Sequence, residues 1–289
     1  DGTPVWSQVL SEQRGEVRHA LEVELAPPAE GDAFHATRVL SLDSNWPQRL
    51  SWSNQCTFKQ WFTAEENLRA TRYCEQVVDR PAHSLNPVMV VAEPQSGCSH
   101  LLHATGQAML RRQEGHVLYI TAADVNGVDG LDASWHHALP GATALVIDDV
   151  HEFASHDSWR HQLGVLVDQA LNHGLQVVAG GRLTVGTFPP SRLKEVFRGS
   201  VEVRLSSPLP PTLMAFARWR CAQRNLLVSD RHLAQLSRME PRGWRMTEAR
   251  LEQLVIAFED GAVLLDSDDV DVLLQGGTTV APVEEMQRV

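Results

Sequence analysis

ProValMetValValAla at 87–92, GluProGlnSerGlyCysSer at 93–99, a helical stretch to Arg112, and HisValLeuTyrIleThr at 116–121 together decide the fold. Six apolar residues without alternation read as a strand buried on both faces. A loop, a helix from about Ser99 to Arg112 and a second strand follow, which is one βαβ unit and requires a parallel pair. Further strands are legible at 144–148 (AlaLeuValIleAsp), 174–179 (GlyLeuGlnValValAla) and 201–205, with a helix at 159–172 between the first two. Upstream, Glu65 to Val78 has helical periodicity. Strands alternating with helices predict an αβα sandwich built on a parallel sheet.

Past SerProLeuProPro at 207–211 the period changes to that of helices, at about 211–225, 230–239 and 245–259, with Asp230 and Thr247 near their starts. This predicts a small all-helical lid, closed by AlaValLeuLeu at 262–265, a helix near Asp268 to Leu274 and a GlyGlyThrThr tail. The division expected is an N-terminal extension at 1–52, an α/β core at 53–208, a lid at 209–276 and a flexible tail at 277–289. The extension holds a helix-like stretch from Trp6 to Leu21 and alternation from Ala36 to Leu42, broken at 26–32, and offers no chemistry of its own.

Acidic residues outnumber basic ones by 36 to 25, and the net charge of -11 disfavours nucleic acid as the main ligand unless cations gather on one face. Cys56, Cys74, Cys98 and Cys221 lie far apart with no CxxC pair, so neither a disulfide framework nor a zinc site is expected, and a reducing cytoplasm fits. No apolar run reaches membrane-spanning length and no signal-peptide pattern opens the chain. A start at Asp1 without Met suggests a piece of a longer protein.

A phosphate-binding loop of the GxxxxGK[ST] type needs glycines for backbone approach, a lysine for charge and a hydroxyl for Mg²⁺. AlaGluProGlnSerGlyCysSer at 92–99 fills that slot with Gly97 and Ser99 in place, Ala92 for the first glycine and Cys98 for the lysine. By itself this is no motif. SerHisLeuLeuHisAla at 99–104, however, resembles the helix start that follows the phosphate loop in the AAA+ modules of the DnaA/Hda family. LeuValIleAspAspValHis at 145–151 is similar to that family's Walker B strand, with Asp148 and Asp149 where Mg²⁺ and the attacking water are handled. ThrPhe at 57–58 resembles the segment leading into the module.

Later landmarks keep the order. GlnValValAlaGlyGlyArg at 176–182 resembles the sensor 1 strand, with Arg182 kept and Gly181 standing for the polar sensor residue. SerArgLeuLysGluValPheArg at 191–198 resembles the arginine-finger box, with Arg192 matching its first arginine and Val196 at the finger position. ArgGlyTrpArg at 242–245 resembles sensor 2 and places Arg245 at its arginine. The resemblance covers about 57–275 and implies a nucleotide-binding core with a helical lid, without the DNA-binding helix-turn-helix that follows the lid in DnaA.

What the resemblance implies for function is a module whose catalytic apparatus is vestigial. Cys98, Gly181 and Val196 remove three contributions to phosphoryl transfer, so no hydrolysis is expected; Asp148 and Asp149 remain as a vestigial Walker B pair, and Gly97, Cys98, Ser99 and Arg245 as a vestigial cofactor site. No cofactor is expected, although Ser99, Asp148 and Arg245 leave weak ADP or ATP binding open, against Glu93 and the missing N–H of Pro94. Asp148–Asp149 reads as readily as a strand end that caps the next turn. Cys98 reads as a small residue filling a retired lysine's place, against a reactive thiol at a helix start. The histidines at 136, 137, 151 and 156 match no metal-ligand spacing, so no metal is expected. Trp135, Trp159, Trp219 and Trp244 are expected to pack sheet against helices or lid against core.

The resulting expectation is a catalytically inactive protein-interaction adaptor or regulator, whose partner is a AAA+ relative or a subunit of a larger assembly and which is capable of oligomerising. Two alternatives stay open: an ADP/ATP-dependent switch of the Hda type, and a DNA-associated regulator using Arg192, Lys194 and Arg198 with Arg218, Arg220 and Arg224 as a basic patch. The same six residues also read as solvated helix faces.

Overall fold

The computed structural model describes residues 47–112, 115–125 and 135–259. Its elements are β1 (Gln48–Arg49), α1 (Glu65–Asp79), β2 (Val88–Ala92), α2 (Cys98–Arg112), β3 (His116–Thr121), β4 (Ala142–Asp148), α3 (Val150–Ser155), α4 (Asp157–Asn172), β5 (Gln176–Gly181), α5 (Arg192–Phe197), β6 (Val201–Leu205), and the lid helices α6 (Pro210–Arg224), α7 (Asp230–Arg238) and α8 (Trp244–Glu259). The readings made for 1–46 and for 260–289, including the last strand, helix and tail, lie outside the described residues. No described helix is long and apolar enough to cross a membrane.

The six strands run in the order β1-β3-β4-β5-β2-β6. Five are parallel, as the βαβ reading requires, and β1 adds an antiparallel edge with Gln48 opposite Tyr119. Gln48 and Arg49 fall within the stretch expected to be an N-terminal extension; two exposed residues give no hydrophobic signal, and backbone pairing alone makes them a strand.

Side chains along the strands alternate between two cores, because successive Cβ atoms point to opposite faces. Val88 and Val90 join Cys74, Leu101, Leu102 and Val146 under α1 and α2. Met89 joins Ile147, Phe153, Leu163, Leu166 and Phe197 under α3, α4 and α5. Burial of each such side chain contributes about 1.5–3 kcal/mol before conformational entropy is subtracted. The lid has its own small core of Cys221, Leu233, Leu236, Leu251 and Leu254.

Helix α3 was not legible beforehand. It is six residues long and starts after Asp149, whose left-handed backbone (φ 53°) turns the chain sharply off β4. Ser229 caps α7 by accepting from His232 N–H, and Asp230 occupies the first turn. Thr247 is fully buried within α8, with a hydroxyl that has no partner among the described residues.

Because β4, β5 and β2 are neighbours, their carboxyl ends bring three loops side by side: 93–97 after β2, Asp149 after β4 and Arg182 after β5. In open α/β sheets this edge is where ligands bind.

Candidate functional site

Two hollows open at this edge. The smaller, about 220 Å³, lies between the 93–99 loop and Asp149, Gly181 and Arg182. The larger, about 820 Å³, lies between core and lid, with Trp61 and Phe62 on one side and Phe216, Trp244 and Arg245 on the other. Gln95, Gly97 and His100 belong to both. The structure therefore gathers Gly97, Cys98, Ser99 and Asp149 around the small hollow and places Arg245 in the large one, while Asp148 is buried and lines neither.

Cys98 opens α2, where a phosphate-loop lysine would stand. Its thiol faces the sheet: a Cβ at Gly180 would lie only 2.5 Å from Cys98 Sγ and 2.8 Å from Leu102 Cδ1. Burial, followed by the neighbouring charge of Asp148, pushes the thiol well above the ordinary cysteine range. A thiol that stays protonated is a poor nucleophile, so the geometry favours the space-filling role over the reactive one.

Gly181, at the sensor 1 position, also has a steric reason. A Cβ there would lie 3.0 Å from His151 Nδ1 and 3.1 Å from Val150 Cγ1. The side chain of His151 occupies the room a polar sensor residue would need; its Nδ1 has no partner among the described residues, while Nε2 lies 3.4 Å from Glu152. This histidine was noted in the sequence only as a metal candidate. Among the described residues no group of three or more His, Cys, Asp or Glu is placed to hold a metal.

Both oxygens of Asp148 accept hydrogen bonds from this chain, Oδ2 from the Tyr119 hydroxyl (3.1 Å) and Oδ1 from the Asp149 N–H (3.0 Å). Burial and the adjacent carboxylate push the Tyr119 phenol far up, so it remains a donor. Asp149 is raised as well, by burial first and then by Asp148, with His151 and Arg182 opposing. As built, the pair closes β4 and turns the chain into α3.

The 93–97 loop is tied down by side chains from the lid and its linker. Trp244 Nε1–H donates to Ser96 O (2.9 Å), and the Trp61 and Trp244 rings lie against Gly97. The Glu93 carboxylate accepts from Ser207 N–H (2.8 Å), and the Ser207 hydroxyl donates to Pro94 O (2.7 Å). One of the loop's own N–H groups, that of Ser96, donates to Glu93 O, and Pro94 has none. Glu66, on α1, accepts from Leu209 N–H and the Thr212 hydroxyl, fixing the start of α6. The bonds made by Trp244, Ser207, Leu209 and Thr212 join residues more than 100 positions apart, beyond the reach of local sequence patterns.

Trp219 and Trp244 pack with Phe62 and Phe216 between lid and core, and Trp159 is buried in the core against Phe153, as expected of them. Trp135 is half-buried against the same core.

The six basic residues at 192–224 do not form a free patch. Arg192 pairs with Asp168 (2.7 Å) and Glu195 (3.5 Å), and Lys194 Nζ donates to the Gly186 and Phe188 carbonyls. Arg218 pairs with Asp230, and Arg220 and Arg224 share Glu248. The side chain of Arg198 has no partner among the described residues. Their acidic partners lie mostly 12–28 positions away, so a run of cations in sequence becomes mostly paired charge in the fold. Val196, at the finger position, packs against the core.

Comparison with known proteins agrees with this architecture. The family model for the bacterial DnaA ATPase domain matches residues 52–196. The chromosomal replication initiator DnaA of Psychromonas ingrahamii is 26% identical over 197 residues, covering 64% of this chain and 42% of that protein. The chain thus spans less than half the length of the curated relatives it matches. Domain III of Thermotoga maritima DnaA superposes with a TM-score of 0.67 at 19% identity, covering 81% of this chain and 100% of that one. AMPPCP-bound DnaA from Aquifex aeolicus gives 0.62 at 17% identity, covering 72% and 67%. A match over half the chain, together with a parallel sheet whose phosphate-loop edge is overlaid by a helical lid, places this chain in the bacterial DnaA ATPase-domain family, as a AAA+ module.

Proposed function

We propose that this chain is a DnaA-family AAA+ module that does not hydrolyse ATP and acts as a protein-interaction adaptor or regulator. The observation that carries this reading is the fate of position 98, where an uncharged cysteine side chain packed over Gly180 stands in place of the cation that would meet the β and γ phosphates. Phosphoryl transfer depends on positioned positive charge, and a single arginine finger alone is worth about 10³–10⁵ in rate. Here the lysine is absent, the finger position is Val196 and the sensor position is filled by His151. A folded core and lid without that chemistry offer surfaces, and AAA+ modules associate side by side, so the partner is a AAA+ relative or a subunit of a larger assembly.

The ADP/ATP-switch reading keeps one observation in its favour, the 820 Å³ cavity between core and lid, which is ample for a small ligand. Ion pairing engages Arg192, Arg218, Arg220 and Arg224, which among the described residues leaves the DNA reading the charges of Lys194, bonded only to carbonyls, and of Arg198. A fluorescence-anisotropy titration with single-stranded DNA at two salt concentrations separates it from the adaptor reading, because phosphate contacts weaken steeply with salt.

Phosphate release from Mg-ATP is the direct test of the leading reading. The native chain is expected to show no turnover above the uncatalysed background, and Cys98→Lys none either, since restoring one cation leaves finger and sensor absent. Sustained turnover by the native chain would refute it.

A further inference from the structure

The charges lining the core–lid cavity nearly all cancel. Arg220 Nε lies 2.6 Å from Glu248 Oε2, Arg224 Nη2 lies 2.9 Å from Glu248 Oε1, and Arg224 also pairs with Glu252. Two arginines and two glutamates thus form a neutral network in the lid wall. Burial pulls the His100 imidazole down and pushes the Cys56 thiol up, so both are neutral near pH 7. Among the described residues, the one lining charge left without a partner is Arg245, on the exposed face of the first turn of α8.

The remaining walls are flat and apolar. Trp244 stands 5.2 Å from Phe216 and 6.0 Å from Phe62, centroid to centroid, with Trp61 across Gly97. The Phe62, Phe216 and Trp244 rings are in contact with one another and together form one aromatic side of the 820 Å³ cavity, against which a flat conjugated body can pack by offset or edge contact. A triphosphate is less well matched: it brings three to four negative charges to Arg245 here and Arg182 in the adjoining hollow, next to the Glu93 carboxylate and a loop held by Trp244 and Ser207.

We propose that the core–lid cavity is a binding site for a small aromatic monoanion, such as an aryl carboxylate or sulfonate, whose ring lies among Trp61, Phe62, Phe216 and Trp244 and whose charge pairs with Arg245. This inference rests on the reading that the module is nucleotide-silent, since Mg-nucleotide would compete for the same space. Arg245 becomes the specificity-determining residue, because a charge-assisted bond to a guanidinium selects an anion where the apolar walls cannot.

The probe is 1-anilinonaphthalene-8-sulfonate, a planar monoanion, followed by its own emission and by energy transfer from tryptophan in the full chain. One saturable site per chain is expected. Arg245→Gln should raise its Kd about tenfold, as expected for losing one charge-assisted contact. N-phenyl-1-naphthylamine, with the same rings and no charge, should bind both chains alike. Thermal melts control for folding, which an exposed arginine without partners should not alter. Absence of saturable binding, or equal sulfonate affinity in native and Arg245→Gln chains, would overturn this inference while leaving the nucleotide-silent reading intact. Displacement of the probe by micromolar Mg-ADP would overturn both.

Discussion

Gly180→Ala is expected to destabilise the chain by about 2 kcal/mol, within the usual range for overfilling a packed core. The added methyl would lie 2.5 Å from Cys98 Sγ and 2.8 Å from Leu102 Cδ1, on a strand that is flanked on both sides, so it cannot relax outward. Leu102 has two rotatable side-chain bonds and yields more readily than the shorter Cys98 side chain at the first residue of α2. Cys98→Ala in the same chain removes the nearer obstacle. The double variant is therefore expected to be more stable than Gly180→Ala alone by about 1 kcal/mol, a coupling of the size seen for residues in contact. Urea unfolding of the four chains measures it. Strictly additive effects would mean that the thiol does not sit over Gly180, and the reason given for the lost lysine would go with it.

Trp244→Ala is expected to have the larger effect on the lid. The indole packs on Phe216 and Phe62, covers Gly97 and donates to Ser96 O, so its removal costs about 3 kcal/mol, the lower end for a large aromatic because the residue is only half-buried. The loss should be local. Amide exchange in α7 and α8 should accelerate well beyond that in β2 and β5, since the lid has its own small core and the tryptophan is a principal tie to the sheet edge. Trp244→Phe, which keeps the ring and loses the N–H, should cost about 1 kcal/mol, the net worth of one hydrogen bond. If exchange in lid and core rises together in Trp244→Ala, the lid is not held by this contact.

Much of the fold was legible because β2 to β5 are largely apolar runs of five to seven residues separated by helical periodicity and β6 alternates apolar with charged residues, and β3 and β6 fall on the residues expected of them. What escaped was what hydrophobic pattern does not encode: β1, two exposed residues made a strand by pairing, and α3, a single short helix set by the left-handed turn at Asp149. At the site, the substitutions at 98 and 181 were visible, but their physical complements were not. A Gly-Gly pair at the end of a buried strand was itself a signal of close approach by something else, here Cys98 and His151. The Trp244 tie to Ser96 spans 148 positions and has no local signature. The pairing of the arginine run was equally hidden, because most of the carboxylates that meet it come from other helices.

Taken together, these contacts describe a AAA+ framework in which side chains of the chain itself hold the lid on the phosphate-loop edge. Isothermal titration of the full chain with Mg-ATP and Mg-ADP tests that central claim most directly. No saturable heat is the expected result, for the native chain and for Cys98→Lys alike, because the loop remains tied to Trp244 and Ser207. Micromolar binding of either nucleotide to the native chain would contradict it, and would make this a nucleotide-responsive switch.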